Sequence, residues 1–136
     1  MTKNRKTDIK THVNYPVGDF LVRLKNAAIA GNKEIELSTS KLIKNVALAL
    51  KKEGLLASVE EKSGNLTVIL SYRKKEPVLM DVKLVSKPGL RIYIGVDELA
   101  KKRGPSVLIL STPIGVITGK DAIKKRVGGE LIAEIL

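Results

Sequence analysis

The sequence predicts an α+β chain of two small lobes: a helix-strand-helix-strand-strand unit, then a mostly β unit with one short helix. Three observations carry this expectation. Two stretches of the first half repeat apolar residues at intervals of three and four, the period of a helix with one buried side. From Leu55 onward the apolar residues alternate or form short runs between turn residues, as strands do. The late exception is a short basic interval between Thr118 and Gly128. With 43% hydrophobic and 29% charged residues among 136, the chain has the composition of an ordinary folded protein and enough length for a core.

Residues 1–14 are polar and basic and read as a flexible extension, neither a secretory signal nor a membrane anchor. The N-terminal lobe then spans residues 15–76. Val17, Phe20, Leu21, Leu24 and Ala28 form the stripe of a first helix from Pro16 to Ala30, with Pro16 suited to the first turn and Gly31 to the end. Arg23, Lys25 and Asn26 fall largely off that stripe. Glu34 to Leu37 alternates as a short strand, and Ser38 to Ser40 offers hydroxyl caps for a second helix reaching about Glu53. Leu42, Ile43, Val46, Ala47 and Leu50 make its apolar side, Lys41, Lys44, Lys51 and Lys52 stay outside, and Gly54 fits its C-terminal stop. Leu55 to Glu60 and Leu66 to Tyr72 then read as a hairpin about Ser63-Gly64-Asn65.

A boundary near Lys74 to Pro77 opens the C-terminal lobe, residues 77–136. It alternates from Val78 to Val85, turns at Lys87-Pro88-Gly89 in a type II geometry, and resumes from Leu90 to Ile94. Asp97 to Arg103 reads as a short helix. Val107 to Leu110 is a strand that empties into the hydroxyl pair Ser111-Thr112, with Pro113 and Gly115 shaping the next turn. Thr118 suits a helix N-cap with Asp121 in the first turn, and Gly128 suits the stop after Lys124, Lys125 and Arg126. Glu130 opens a final strand, Leu131 to Leu136.

A net charge of +11 draws the chain toward polyanions, nucleic acid or anionic lipid. Residues 1–14 hold four basic groups and one acidic, which leaves +8 spread over the rest, so the basicity is not that of a tail alone. A merely solvated basic surface is the bland alternative. The absence of cysteine excludes disulfides, zinc thiolates and thiol nucleophiles and fits a reducing, cytoplasmic setting. His12 is the only histidine, lies in the polar extension and receives no role. No cofactor and no metal is expected, and no segment approaches a membrane-spanning length.

Gly115 to Asp121 departs from a phosphate-binding loop: its glycines are one residue too close, and an aspartate stands where a magnesium-binding hydroxyl is required. Val127-Gly-Gly-Glu130 can supply backbone N–H groups to a phosphate, although two glycines after a basic helix are more commonly a cap and a turn. Ser111 and Thr112 are small donor-acceptors of the kind that enter a shallow RNA minor groove and bond 2′-hydroxyls, against the alternative of ordinary turn chemistry. Four aromatic residues are too few for a generic single-strand stacking platform, which favours structured RNA; Tyr93 could stack on a splayed base or simply pack at a strand edge.

Four segments in order, Pro-Val-Gly-Asp-Phe-Leu-Val-Arg-Leu-Lys-Asn-Ala (16–27), Ser-Lys-Pro-Gly-Leu-Arg-Ile-Tyr (86–93), Ser-Thr-Pro-Ile-Gly-Val-Ile-Thr (111–118) and Val-Gly-Gly-Glu (127–130), resemble ribosomal protein eight of the bacterial small subunit. The resemblance covers residues 15–136. It implies a non-enzymatic, two-lobed protein that binds the central domain of the small-subunit ribosomal RNA, helps assemble the platform beside neighbouring small-subunit proteins, and in some bacteria represses its own operon through the messenger RNA. By motif, Ser111 and Thr112 would bond the RNA, with Pro113 and Gly115 shaping their loop. Tyr93 and Glu130 would contact or buttress that surface, and Gly128 and Gly129 would permit close backbone approach. Lys87, Lys124, Lys125, Lys41, Lys25, Arg23 and Asn26 would supply the polar and phosphate contacts. The chain departs from the family pattern at Pro113 and Ile114, where a third serine and often a basic or polar residue are usual, and at Ala133-Glu134, where Cys-Tyr is usual.

Two other classes fit the sequence less well. A DNA-binding regulator using the second helix is disfavoured because a strand separates the two N-terminal helices where a helix-turn-helix needs a short turn. An RNA-modifying enzyme lacks a nucleophile, metal or cofactor constellation.

Overall fold

The computed structural model describes residues 15–102 and 104–136. The N-terminal extension with His12, and Arg103, lie outside the described residues. In the first lobe, α1 (Pro16–Ala30), β1 (Glu34–Ser38), α2 (Lys41–Lys52), β2 (Leu56–Lys62) and β3 (Asn65–Leu70) follow in the predicted order. Their strands form an antiparallel sheet in the order β1-β3-β2. Pro16 opens α1, and the Ser40 hydroxyl accepts the Ile43 N–H to cap α2. The stripes bury as expected with one exception: Leu42 is exposed and Ala49 is buried instead, so the inward side of α2 runs through Ile43, Val46, Ala47, Ala49 and Leu50.

Strand β3 stops at Leu70. The expected strand residue Tyr72 belongs instead to a separate two-residue hairpin, β4 (Tyr72–Arg73) with β5 (Glu76–Pro77). Lys74 and Lys75 turn it with φ of 53° and 70°, the doubly left-handed conformation that matches strand twist. In the second lobe, β6 (Val82–Leu84), β7 (Tyr93–Ile94), α3 (Val96–Lys101), β8 (Val107–Thr112), β9 (Gly115–Thr118), α4 (Gly119–Lys125) and β10 (Gly129–Ile135) form a five-stranded sheet flanked by two short helices. The order is β9-β8-β10-β6, with β7 pairing the start of β10 on the edge that β6 occupies farther along.

The expected strands at 78–85 and 90–94 are much shorter than the alternation suggested. Met80 and Asp81 both direct their N–H groups at the single Leu136 carbonyl, which ends the ladder before Val82. Beyond Leu84 the chain leaves the sheet for the type II turn at Lys87-Pro88-Gly89, where Gly89 takes φ 83° and Lys87 and Leu90 exchange backbone hydrogen bonds. Ser86 holds this excursion in place. Its fully buried hydroxyl accepts the Ile92 N–H at 3.0 Å and donates to the Leu131 carbonyl at 2.7 Å. A further correction concerns Gly128, expected as the stop of α4. Arg126 takes the left-handed cap at φ 56°, and Gly128 is required elsewhere, as described below.

Two apolar clusters lie on opposite faces of the second sheet. Leu110, Leu131 and Ile94 pack with Leu99 of α3 and Ala122 of α4. Ile109, Ile132, Ala133 and Ile135 join the larger cluster built on the α1 and α2 stripes and the inner sides of β2 and β3. The register between β8 and β10 shifts between Leu131 and Ala133, so Ile132 is an extra residue on β10. This bulge changes the parity of the strand. It lets Ala133 and Ile135 face the first lobe while Glu130 faces it too.

Ser86 therefore carries two backbone groups from different segments, the buried Leu131 carbonyl and the part-buried Ile92 N–H. Replacing Ser86 with Ala should destabilise the chain by about 1–3 kcal/mol, read as a lower urea midpoint at unchanged slope, because both groups lose their partner and the Leu131 carbonyl does so in a buried site. Lys87→Ala one residue away should stay within roughly 0.5 kcal/mol of wild type.

Candidate nucleic-acid interface

Tyr93, Glu130 and Ser111 stand side by side. Glu130 is the register partner of Tyr93 on β7 and of Ser111 on β8, so three side chains from three strands form one row on one face of the sheet. What permits the row is the close passage of the backbone at the start of β10. A Cβ on Gly128 would lie 2.5 Å from the Ile94 carbonyl oxygen, and one on Gly129 would run into the Ser111 carbonyl. The close backbone approach expected of this glycine pair is thus made, and the partner it meets is the protein's own sheet.

Ser111 and Thr112 are consecutive in a strand and leave it on opposite faces. Ser111 joins the row. The Thr112 hydroxyl serves the β8–β9 turn: it donates to the Gly115 carbonyl at 2.7 Å and accepts the Ile114 N–H at 3.2 Å, which commits its one proton. Pro113 and Ile114 form the exposed tip between them. Tyr93 is 69% exposed, which leaves its ring open to solvent.

The expected cations are divided between the two faces of the sheet, since α4 packs on the face opposite the row. Lys87 is exposed in the type II turn fixed by Ser86, and Lys124 and Lys125 are exposed in the last turn of α4, just before Gly128. Lys41 is exposed between Ser40 and Leu42, both of which line a groove of about 250 Å³ shared with Ser111 and Glu130. The α1 group lies apart. Lys25 pairs with Asp81 at 3.0 Å, beside the far end of β10, about 17 Å along the strand from Glu130. Arg23 donates to the Glu36 carbonyl at 2.9 Å, and Asn26 is exposed on the same helix.

Sequence reasoning missed Tyr15, Ser86 and Arg91. The Tyr15 hydroxyl donates to the Ser86 carbonyl at 3.0 Å, and burial raises it above the ordinary tyrosine range, with Arg91 beside it pulling the other way. The Arg91 Nη1 donates to Glu130 Oε2 at 3.1 Å. The period of two that linked Arg91 to Tyr93 was visible in the sequence; the partners of Tyr15 and Ser86 are 71 and 45 residues away and were not. Among the described residues no group of His, Cys, Asp or Glu is arranged to hold a metal, and no helix is long and apolar enough to cross a membrane.

A family model described as Ribosomal protein S8 matches residues 15–136, which takes in the whole of this row. The chain belongs to the ribosomal protein S8 family. Among relatives, the small ribosomal subunit protein uS8 of Nitratidesulfovibrio vulgaris is 41% identical over 121 residues, covering 88% of this chain and 96% of the relative. Those of Enterococcus faecalis and Ligilactobacillus salivarius are 41% and 42% identical over 126 residues, with the same coverage. The S8 match begins at Tyr15, so the basic extension stands outside it.

In this S8 chain a further ion pair ties the lobes behind the row. Lys52 at the end of α2 meets Asp121 in the first turn of α4 at 2.8 Å. That hydrogen bond, opposed by partial burial and aided by the charge of Lys52, holds the Asp121 carboxyl below its ordinary value. A carboxyl whose folded value is depressed stabilises the fold above its unfolded value, and that stability is lost as pH falls through the folded one. Asp121→Asn should therefore cost no more than about 1 kcal/mol near pH 7, since water screens Lys52. The gap to wild type should close as the pH drops below about 4 in a series of urea titrations.

Proposed function

We propose that this chain is a structural constituent of the small ribosomal subunit, and that it binds the central domain of the small-subunit ribosomal RNA through the Tyr93–Glu130–Ser111 face. The observation that carries the reading is the row itself: an exposed aromatic ring, a small hydroxyl and an ion-paired carboxylate in register on a rigid sheet, in a chain of net charge +11. Membership of the S8 family supports it, as do the names of the relatives, which are small-subunit proteins.

On this reading Ser111 bonds 2′-hydroxyls or base edges in a shallow minor groove, and Tyr93 stacks on an unpaired base. Lys87, Lys124, Lys125 and Lys41 add phosphate attraction. Thr112 contributes by holding the shape of the β8–β9 turn and by its spare acceptor. Lys25, already offset by Asp81, adds little, and Arg23 and Asn26 lie with it on the α1 side. The protein acts without catalysis, in the cytoplasm, on the ribosome, where it helps assemble the platform beside neighbouring small-subunit proteins. A messenger hairpin of its own operon that copied the ribosomal site would compete for the same face.

Binding to the central-domain helix and to a shuffled hairpin of equal length, compared across a salt series, tests the reading. Selectivity that persists at high salt is the expected result; equal and steeply salt-dependent binding to both would mean only generic attraction to polyanions. Ser111→Ala should weaken selective binding by about 1–3 kcal/mol at unchanged salt slope. Thr112→Val should lose a comparable amount together with a measurable loss of thermal stability from the β8–β9 turn.

A further inference from the structure

Arg91 has no part in the reading above, yet it is held in place more firmly than any lysine around the row. Two residues before Tyr93 in an extended segment, it projects on the same side. Glu130 takes one edge of its guanidinium at 3.1 Å, and the Tyr15 ring lies against it with the centroid 5.5 Å from Cζ. Tyr15 is itself fixed. Its hydroxyl is tied to the Ser86 carbonyl, and its ring fills the space where a Cβ on residue 18 would stand, so a glycine is required there.

A guanidinium clamped in this way keeps its other N–H donors at a set orientation, with the side chain 45% exposed. It pays little of the ordering cost that an exposed lysine pays on binding. It also stands at the lining of the groove between the lobes, together with Ser111 and Ser40 above a floor that includes Val17 and Ile132. The groove's volume of about 250 Å³ is smaller than the roughly 300 Å³ at which ligand pockets usually begin, too small for a whole nucleotide and adequate for a phosphate group.

The geometry points to a phosphate site at Arg91: the guanidinium, oriented by Glu130 and Tyr15, takes a phosphodiester of the bound RNA at the groove beside Ser111. The inference rests on the RNA reading above and adds a ligand to it. Glu130 is then a positioning residue. Left unpaired, its carboxylate would repel the RNA backbone; paired, it aims the arginine.

The test compares Arg91→Gln with Glu130→Gln, each bound to the central-domain helix across the same salt series. Arg91→Gln should bind on the order of tenfold more weakly, with a log–log salt slope shallower by about 0.7–0.9, the share of one phosphate. Glu130→Gln should keep the wild-type slope or steepen it, because the cation stays and its internal competitor is gone. If both variants lose the same affinity at unchanged slope, Arg91 only holds Glu130 and the phosphate site is refuted. Should Arg91→Gln fail to fold, Arg91→Lys decides: weaker binding at a retained slope supports the oriented fork, and wild-type affinity overturns it. Selective wild-type binding with an unaltered Arg91→Gln slope removes this site alone, whereas a wild-type chain that cannot tell the two RNAs apart removes the RNA reading and the site with it.

Discussion

Gly128 and Gly129, at the entry to β10, pass so close to their neighbours that a Cβ on Gly128 would meet the Ile94 carbonyl and one on Gly129 the carbonyl of Ser111. From this passage the arrangement of the second lobe follows. β7 and β8 are drawn against the same short stretch of backbone, which sets Tyr93 and Ser111 on either side of Glu130. The bulge at Ile132 then allows the rest of the strand to bury Ala133 and Ile135 toward the first lobe without turning Glu130 away from it. The row is therefore a product of main-chain register, which side-chain rotamers adjust only slightly.

Charge is distributed around this frame unevenly. Lys25, Lys44, Lys52 and Arg91 each have a carboxylate within 3.1 Å, so part of the net +11 is already answered inside the protein. Such exposed pairs add little to stability. Their effect is to neutralise part of the α1 side, while exposed lysines of the second lobe such as Lys87, Lys124 and Lys125 are outside these pairs. Arg91 is the exception among the paired cations. Its pairing orients the group instead of hiding it.

Much of this was legible in the sequence where the information is local. The α1 stripe, the Thr118 and Ser40 caps and the turn at Lys87-Pro88-Gly89 all depend on residues within one or two turns of each other, and each formed as expected. The strands at 78–85 and 90–94 were overdrawn because their ends are set by Leu136 and by the Ser86 hydroxyl, contacts that span 45 or more residues. Gly128 resembles a helix stop because a glycine after a basic helix ordinarily is one; only the distance to Ile94 reveals the other reason. Ser111 and Thr112 looked like a pair by adjacency, and the pleat of the strand divides them.

The most direct test of the account is to follow the backbone amides of the isotopically labelled chain by NMR while the central-domain RNA helix is added. The largest shifts and exchange protection should fall at Tyr93, Ser111 and Gly128 to Glu130, with Lys25 and Asp81 nearly unmoved. Shifts centred on α1 and the Asp81 end, or spread evenly over the exposed lysines, would contradict it.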